Sequence, residues 1–195
     1  KRVGRAAAEA GIAVVSGMAR GLDAVAQTAA LDAGGTSIGV LGTGPDVVYP
    51  LQNRPLFERV IRDGLLLSEH EPGERGDRGA FPRRNRLISG LARALVVVEA
   101  AESSGTLISV ACALEQGREV LVVPGPITSP TSAGTNRLLR DGATPLLSPD
   151  DLLAVYGVPG QAAVRETFQP LPCHLSPEEA QVLDALSATP RTVDE

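Results

Sequence analysis

The sequence contains no tryptophan, and aromatic residues make up only 3% of its 195 positions. Hydrophobic residues nevertheless reach 43%, so the core has to be built from Ala, Val, Leu and Ile. Such a core is typical of a parallel sheet that helices cover on both faces. The scarcity of aromatics therefore favours an α/β protein, and the length suffices for one such domain with an appendage.

Cysteines and long apolar runs are also scarce. Cys112 and Cys173 are far apart, and neither has a second Cys or a His at metal-ligand spacing. No apolar stretch approaches the roughly 20 residues of a membrane helix, and the chain does not open on a signal-peptide pattern. These absences predict a cytoplasmic protein with reduced thiols, without a metal or other cofactor and without membrane contact.

Positive charge is in the minority, because 18 basic residues stand against 23 acidic ones and the net charge is −5. The acidity is concentrated in residues 150–195, which hold two basic and eight acidic side chains, whereas residues 1–149 hold 16 and 15. Within residues 75–93, six arginines accompany a single acidic residue, Asp77. A local basic patch matters more than the total charge for binding a polyanion.

Five short runs rich in Val, Ile and Leu alternate with longer helical segments. The runs occupy residues 12–17, 36–42, 65–69, 94–100 and 119–125. None alternates apolar with polar residues, so each is predicted as a strand covered on both faces. The β-α-β-α series predicts a doubly wound, mostly parallel sheet over residues 1–157.

The two ends of the chain predict further elements. Residues 1–17 are typical of a helix that leads into a strand, so we expect another strand upstream of it. Residues 158–175 have the Pro, Gly and Gln content of a linker. A Ser-Pro-Glu-Glu cap then begins a helix within residues 176–195, a stretch too short to bury a core. We expect the start of a second, incomplete domain there.

Glycine-bearing segments follow four of the predicted strands: Ser16–Gly21, Gly42–Gly44, Ser104–Thr106 and Pro124–Gly125. In an open parallel sheet, ligands bind at the carboxyl ends of the strands, where free N–H groups are available. Neither GxGxxG nor GxxxxGK[ST] occurs, which excludes the usual dinucleotide and NTPase fingerprints. A tight turn explains each glycine alone, but four such segments at one edge favour an anion site.

Arginines near this edge are candidates for that site. Arg20 follows a strand and opens a helix, so it either reaches over the edge or pairs with Asp23; spacing favours neither. In FPRRNRLISG (81–90), we expect that Arg83, Arg84 and Arg86 cannot all face one side of a helix, although Arg83 and Arg86 can share a face. At least one of the three should then be structural or solvated.

The same segment offers chemistry for a nucleic acid. Arginine forms bidentate pairs with phosphate, and Phe81 offers a plate on which a base can stack. The alternative is a solvated charged face with Phe81 as its core anchor. The sequence offers few candidate catalytic residues, since neither His70 nor His174 has a nucleophile nearby in sequence. We therefore expect a protein that is not an enzyme.

Five ordered blocks resemble the DNA-processing protein A (DprA/Smf) family over about residues 10–157: SGMARGLDAVAQTAAL, GVLGTGPDVVYPLQN, LLLSEHEPG, the block from FPRRNRLISG to VVPG, and SAGTNRLLRDGA. SPEEAQVLDAL resembles the start of the winged-helix domain that many members carry. The resemblance implies a Rossmann-like domain that binds single-stranded DNA, forms a homodimer and helps to load the RecA recombinase during natural transformation, without catalysing a reaction.

The resemblance also implies a set of DNA-binding residues. The family's SGxARG arginine, glycine-rich loop and FPxRNR block correspond to Arg20, Gly42, Gly44, Phe81, Arg84, Asn85 and Arg86. From the same blocks we add Gly21, Arg83, Ser104, Gly105, Thr106 and Asn136; Arg83 occupies a variable position of its block. Gln27 replaces a histidine that the family commonly carries, and this change removes a titratable group.

Two alternatives on the same fold remain open. A nucleotide-processing enzyme would resemble the cytokinin-activating phosphoribohydrolases, whose PGGxGTxxE motif supplies a glutamate to the reaction. The corresponding stretch here has Gly105 and Thr106 but lacks the double glycine, and Ser109 stands at the glutamate position. A nucleotide sensor would instead bind a small nucleotide at the same edge.

Overall fold

The computed structural model describes residues 1–159, in which strands and α-helices alternate. The strands are β1 (Val14–Ser16), β2 (Ser37–Val40), β3 (Leu65–Leu67), β4 (Ala94–Val97), β5 (Glu119–Val122) and β6 (Thr144–Pro145). The helices are α1 (Arg2–Glu9), α2 (Leu22–Asp32), α3 (Arg54–Asp63), α4 (Ala80–Leu91), α5 (Thr106–Glu115), α6 (Ala133–Arg140) and α7 (Pro149–Val155). Short 3-10 helices at Leu51–Asn53 and Pro130–Ser132 precede α3 and α6.

The strands form two sheets of three, in the orders β1-β2-β3 and β4-β5-β6, and every pairing among the described residues is parallel. Val15 pairs with Ile38 in the first sheet, and Val96 pairs with Leu121 in the second. Because parallel strands end at the same edge of a sheet, the loops that follow them lie side by side. We call loops 17–21, 41–50 and 68–79 the first rim, and loops 98–105 and 123–132 the second rim.

Aliphatic side chains fill the core, as the composition predicts. The first sheet packs Met18, Leu41 and Val60 into a cluster with Phe57, the one buried aromatic residue among the described residues. The second sheet is packed by Val97, Val110, Ala113, Val120 and Val122. A third cluster joins Ala7, Leu121, Leu146 and Leu152. Residues of every α-helix except α4 belong to these clusters or pack against them. Helix α4 is buried instead at Ala80, Arg84 and Ser89.

The predicted α/β class and parallel pairing are confirmed. Each of the five predicted strands forms within its predicted run, and each is shorter than that run. The two-residue strand β6 was not predicted, because Thr144 and Pro145 belong to no apolar run. Helix α7 begins with a capping box: Ser148 is the N-cap, Pro149 is the first helical residue, and the Asp151 carboxylate accepts the Ser148 N–H at 2.6 Å.

Part of the predicted organisation lies outside the described residues. This applies to the linker beyond residue 159, to the start of the winged-helix domain at 176–195, and to Cys173 and His174. Across residues 1–159, no helix is both long and apolar enough to cross a membrane. Within the same residues, no three His, Cys, Asp or Glu side chains are grouped so that they could hold a metal ion.

Candidate functional site

Arg20 lies in the first rim on a loop that its neighbours fix. The Asp23 carboxylate, which spacing offered as a partner for Arg20, accepts instead the backbone N–H groups of Gly17 at 3.0 Å and Ala19 at 3.2 Å. Arg20 is exposed and forms no ion pair with a described residue. Its guanidinium is therefore available to an external anion. Gly21, with φ of 86°, is the N-cap of the helix that follows.

The backbone of this loop is strained. Met18 has φ of 60°, a conformation that costs a side-chain-bearing residue about 1 kcal/mol or more, while its side chain is buried in the core. Asn53 stabilises the conformation, because its Nδ2 donates to the carbonyls of Met18 at 2.8 Å and Ala19 at 3.0 Å. Asn53 thus ties the loop of Arg20 to the end of the loop that follows β2.

Arg84 is a structural arginine. Its side chain reaches from α4 to the ends of β1 and β2, where Nη1 donates to the carbonyls of Gly17, at 3.0 Å, and Val40. Only 8% of the residue is exposed, and burial lowers the pKa of the Arg84 guanidinium. Arginine stays charged at neutral pH even so, because its ordinary pKa lies far above neutrality. Arg84 holds two strand ends of the first rim together and brings a fixed positive charge there.

Arg83 and Arg86 are exposed and each is paired with a carboxylate. Arg83 Nη2 lies 3.2 Å from Asp77, and this contact, with the Ala80 N–H, holds the pKa of the Asp77 carboxyl below its usual range. Arg86 Nη2 lies 2.6 and 2.7 Å from the two oxygens of Glu69. Both guanidinium groups therefore have to leave or share a carboxylate before they can bind an external anion.

All three arginines line one open depression of about 340 Å³, together with Glu69 and His70. Their guanidinium groups nevertheless do not share one side. That of Arg84 is turned inward onto two backbone carbonyls, whereas those of Arg83 and Arg86 are exposed. The expectation that at least one is structural is confirmed by Arg84.

Phe81 stands at the edge of this region and is half-buried. Its ring packs against Tyr49 with the ring centroids 5.1 Å apart and the planes tilted by 36°. Tyr49 is 55% exposed. Tyr49 and Asn53 were not singled out in the sequence, although both lie in GVLGTGPDVVYPLQN; an aromatic residue in the loop after a strand was the available signal for Tyr49.

Gly42 and Gly44 allow other groups of the first rim to approach the chain closely. A Cβ on Gly42 would lie 2.9 Å from Cδ1 of Phe81, and a Cβ on Gly44 would lie 2.3 Å from the carbonyl oxygen of Glu71. Both approaches are too close for a side chain. The two glycines therefore let the Phe81 ring and the loop after β3 pack against the loop after β2.

The remaining predicted residues, Ser104, Gly105, Thr106 and Asn136, lie outside the first rim. In the second rim, the Ser104 hydroxyl lies 3.0 Å from that of Thr106, and Gly105 is the N-cap of α5. The Asn136 side chain bonds to the N–H and carbonyl of Gly125, at 3.2 and 3.0 Å. Their contacts with described residues are local, and none joins them to Arg20 or to the depression.

Two polar helix residues, Asn85 and Gln27, form hydrogen bonds within the protein. Asn85 is half-buried on α4, and its carbonyl accepts the Ser89 hydroxyl at 3.3 Å. Gln27 is fully buried, and its Nε2 donates to Ser37 Oγ at 3.1 Å and to the Ile38 carbonyl at 3.3 Å. Gln27 therefore ties α2 to β2 and does not belong to the first rim.

The family profile for DNA recombination-mediator protein A matches residues 1–157. The chain belongs to this family. It is 43% identical over 157 residues to protein Smf of Synechocystis sp., covering 80% of this chain and 39% of Smf. It is 44% identical over 145 residues to DNA processing protein DprA of Streptococcus pneumoniae, covering 74% of this chain and 51% of DprA. The chain thus spans about half the length, or less, of these relatives.

Solved structures of the family share the fold of this chain. DprA from Streptococcus pneumoniae superposes with a TM-score of 0.73 at 41% identity, covering 78% of this chain and 55% of that chain. DprA from Helicobacter pylori, whose structure describes a single-stranded DNA binding mode, also has a TM-score of 0.73, at 30% identity, with coverage of 79% and 70%. A third structure, TM1055, shows a likeness of fold alone, at 20% identity and a TM-score of 0.53.

Proposed function

We propose that this chain binds single-stranded DNA at the first rim. The observation that carries the proposal is the exposed Arg20 guanidinium, which has no carboxylate partner among the described residues and lies on a loop held by Asp23 and Asn53. A preorganised guanidinium at a sheet edge suits a phosphate. Membership of the family, and the DNA-binding mode described for the Helicobacter pylori relative, support this assignment.

The proposal extends to the role of the whole protein. We propose that it is a homodimeric, cytoplasmic recombination mediator that protects incoming single strands and helps RecA to load on them during natural transformation, without catalysing a reaction. The resemblance to the family supports this part. The proposed DNA-binding set consists chiefly of the predicted residues at or beside the first rim, namely Arg20, Gly21, Gly42, Gly44, Phe81, Arg83, Arg84, Asn85 and Arg86. The other predicted residues, Ser104, Gly105, Thr106 and Asn136, are expected to add little affinity.

A competition titration tests the proposal. A fluorescent thymidine oligonucleotide is titrated with the protein, and either unlabelled oligonucleotide or thymidine monophosphate is added as competitor. We expect the oligonucleotide to compete far better, because a strand places several phosphates on the protein and the mononucleotide places one. Preference for the mononucleotide would indicate a sensor instead, and release of free base from nucleoside monophosphates would indicate an enzyme.

A further inference from the structure

Tyr49 is the most exposed aromatic side chain among the four that the structure describes. Phe57 is buried, Phe81 and Tyr156 are half-buried, and Tyr49 is 55% exposed. Tyr156 has a partner of its own, since the Arg93 guanidinium lies 5.6 Å from its ring centroid. One exposed ring on a surface is ordinary. What distinguishes Tyr49 is its place in the first rim, beside Phe81.

The ring of Tyr49 is supported from one side. Phe81 packs against it with the centroids 5.1 Å apart, and Phe81 is in turn packed against the backbone at Gly42. The two sequence neighbourhoods of Tyr49 are also anchored. Upstream, the Thr43 hydroxyl donates to the Val47 carbonyl at 3.0 Å; downstream, Asn53 donates to the loop that carries Arg20. Tyr49 is therefore held at the rim, and more than half of the residue's surface is in solvent.

We propose that Tyr49 is a base-stacking residue: its ring, with Phe81 behind it, is a platform for a nucleobase of the strand whose phosphates Arg20 binds. This inference rests on the proposed function. An aromatic face stacks on any base, so the platform adds affinity without reading sequence. Phe81, which the sequence offered as the stacking plate, is assigned the supporting position, because Gly42 and Tyr49 cover part of its ring. Tyr49 makes no hydrogen bond to a described side chain, so the ring and not the hydroxyl is expected to matter.

Two strands of equal length separate stacking from phosphate binding. One is a thymidine oligonucleotide, and the other has the same sugar-phosphate backbone with abasic sites. We expect Tyr49→Ala and Tyr49→Leu to weaken binding of the thymidine strand about tenfold and to leave binding of the abasic strand unchanged, while Tyr49→Phe binds both as wild type does. Arg20→Ala should weaken binding of both strands by the same factor.

Tyrosine emission gives an independent readout. The chain has two tyrosines and no tryptophan, so in a Tyr156→Phe background Tyr49 is the sole source of this emission. We expect the thymidine strand to quench it and the abasic strand to leave it unchanged. The inference is overturned if wild type binds the thymidine strand while Tyr49→Ala and Tyr49→Leu bind it equally well, or if both variants lose affinity for the two strands alike. If wild type binds neither strand, the proposed function itself fails and the inference falls with it.

Discussion

The two rims follow sheets of the same size and the same parallel topology, but they present different chemistry. The first rim carries three exposed arginines that form no ion pair with a described residue, Arg20, Arg75 and Arg78, and an exposed aromatic ring. Its loops also hold five acidic residues, but three arginines of α4 line the depression beside it. The second rim has no Lys or Arg in either of its loops and carries Glu99 and Glu102. Topology provides an edge where ligands can bind, whereas the side chains on that edge decide whether a polyanion is attracted or repelled.

The largest expected effect concerns what holds the first rim together. Arg84→Ala leaves the carbonyls of Gly17 and Val40 without their guanidinium donor and opens a cavity beneath the rim. We expect the free energy of unfolding to fall by about 3 kcal/mol, because the substitution both leaves buried carbonyls without a donor and removes the volume of a buried side chain. Urea unfolding, read as a lower midpoint at unchanged slope, measures the loss.

Arg83→Ala is the matched control for this measurement. Its side chain is 64% exposed and its pair with Asp77 lies in solvent, so we expect a change of about 0.5 kcal/mol or less. Equal stabilities of Arg84→Ala and Arg83→Ala would show that Arg84 does not hold the strand ends, and the distinction between structural and available arginines in the first rim would be lost.

The strands could be predicted from the sequence, whereas the contacts of these arginines could not. Hydrophobic runs located five strands, since a buried strand has to be apolar on both faces. The helix wheel predicted a structural arginine but could not tell which one, because that depends on Arg84 reaching the ends of β1 and β2, which are 67 and 44 residues away. The ion pair between Arg86 and Glu69 likewise spans 17 residues of sequence. Such contacts follow from the packing of the elements and not from spacing.

Tyr49 and Asn136 show that a sequence pattern can miss a candidate binding residue and can also select a residue that is already bonded within the protein. In the loop of Tyr49, the phosphate-binding pattern points to the glycines, and only the packing of Tyr49 on Phe81 distinguishes it from any other exposed ring. Asn136 was selected through the resemblance, yet its amide already bonds to both backbone groups of Gly125. Its contact with DNA stays a prediction.

A moderate effect of opposite sign is expected from the carboxylate that holds Arg86. Glu69→Gln should release the guanidinium for a phosphate and tighten the binding of single strands about threefold, since an exposed pair contributes about 0.2–1 kcal/mol. Oligonucleotide titration at constant salt measures the change.

Asp63→Asn is the control for Glu69→Gln. Asp63 pairs with Arg62 at the end of α3, next to the amino end of β3 and so away from the first rim, and the substitution changes the charge by the same amount. We expect little change in affinity. If Glu69→Gln weakens binding, or strengthens it no more than Asp63→Asn does, then Glu69 does not compete with DNA for the Arg86 guanidinium.

The smallest effect is expected in the second rim. Ser104→Ala removes a hydroxyl that bonds to the Thr106 side chain and accepts its N–H, both within one turn of the chain. We expect the affinity for single strands to change by less than about twofold, because a neutral hydroxyl beside two glutamates offers a phosphate little. A loss as large as that of Arg20→Ala, in the same titration, would make the second rim an equal partner in binding.

The most direct test of the account is the salt dependence of binding by Arg20→Ala. Wild type, Arg20→Ala and Arg140→Ala are titrated with a thymidine oligonucleotide over a range of salt concentrations; Arg140, 77% exposed on α6, is the matched control. We expect about tenfold weaker binding by Arg20→Ala and a slope of log K against log[salt] that is shallower by about 0.7, the value for one lost phosphate contact. Arg140→Ala should behave as wild type does. Wild-type affinity and slope for Arg20→Ala would contradict the assignment of the first rim as the DNA-binding site.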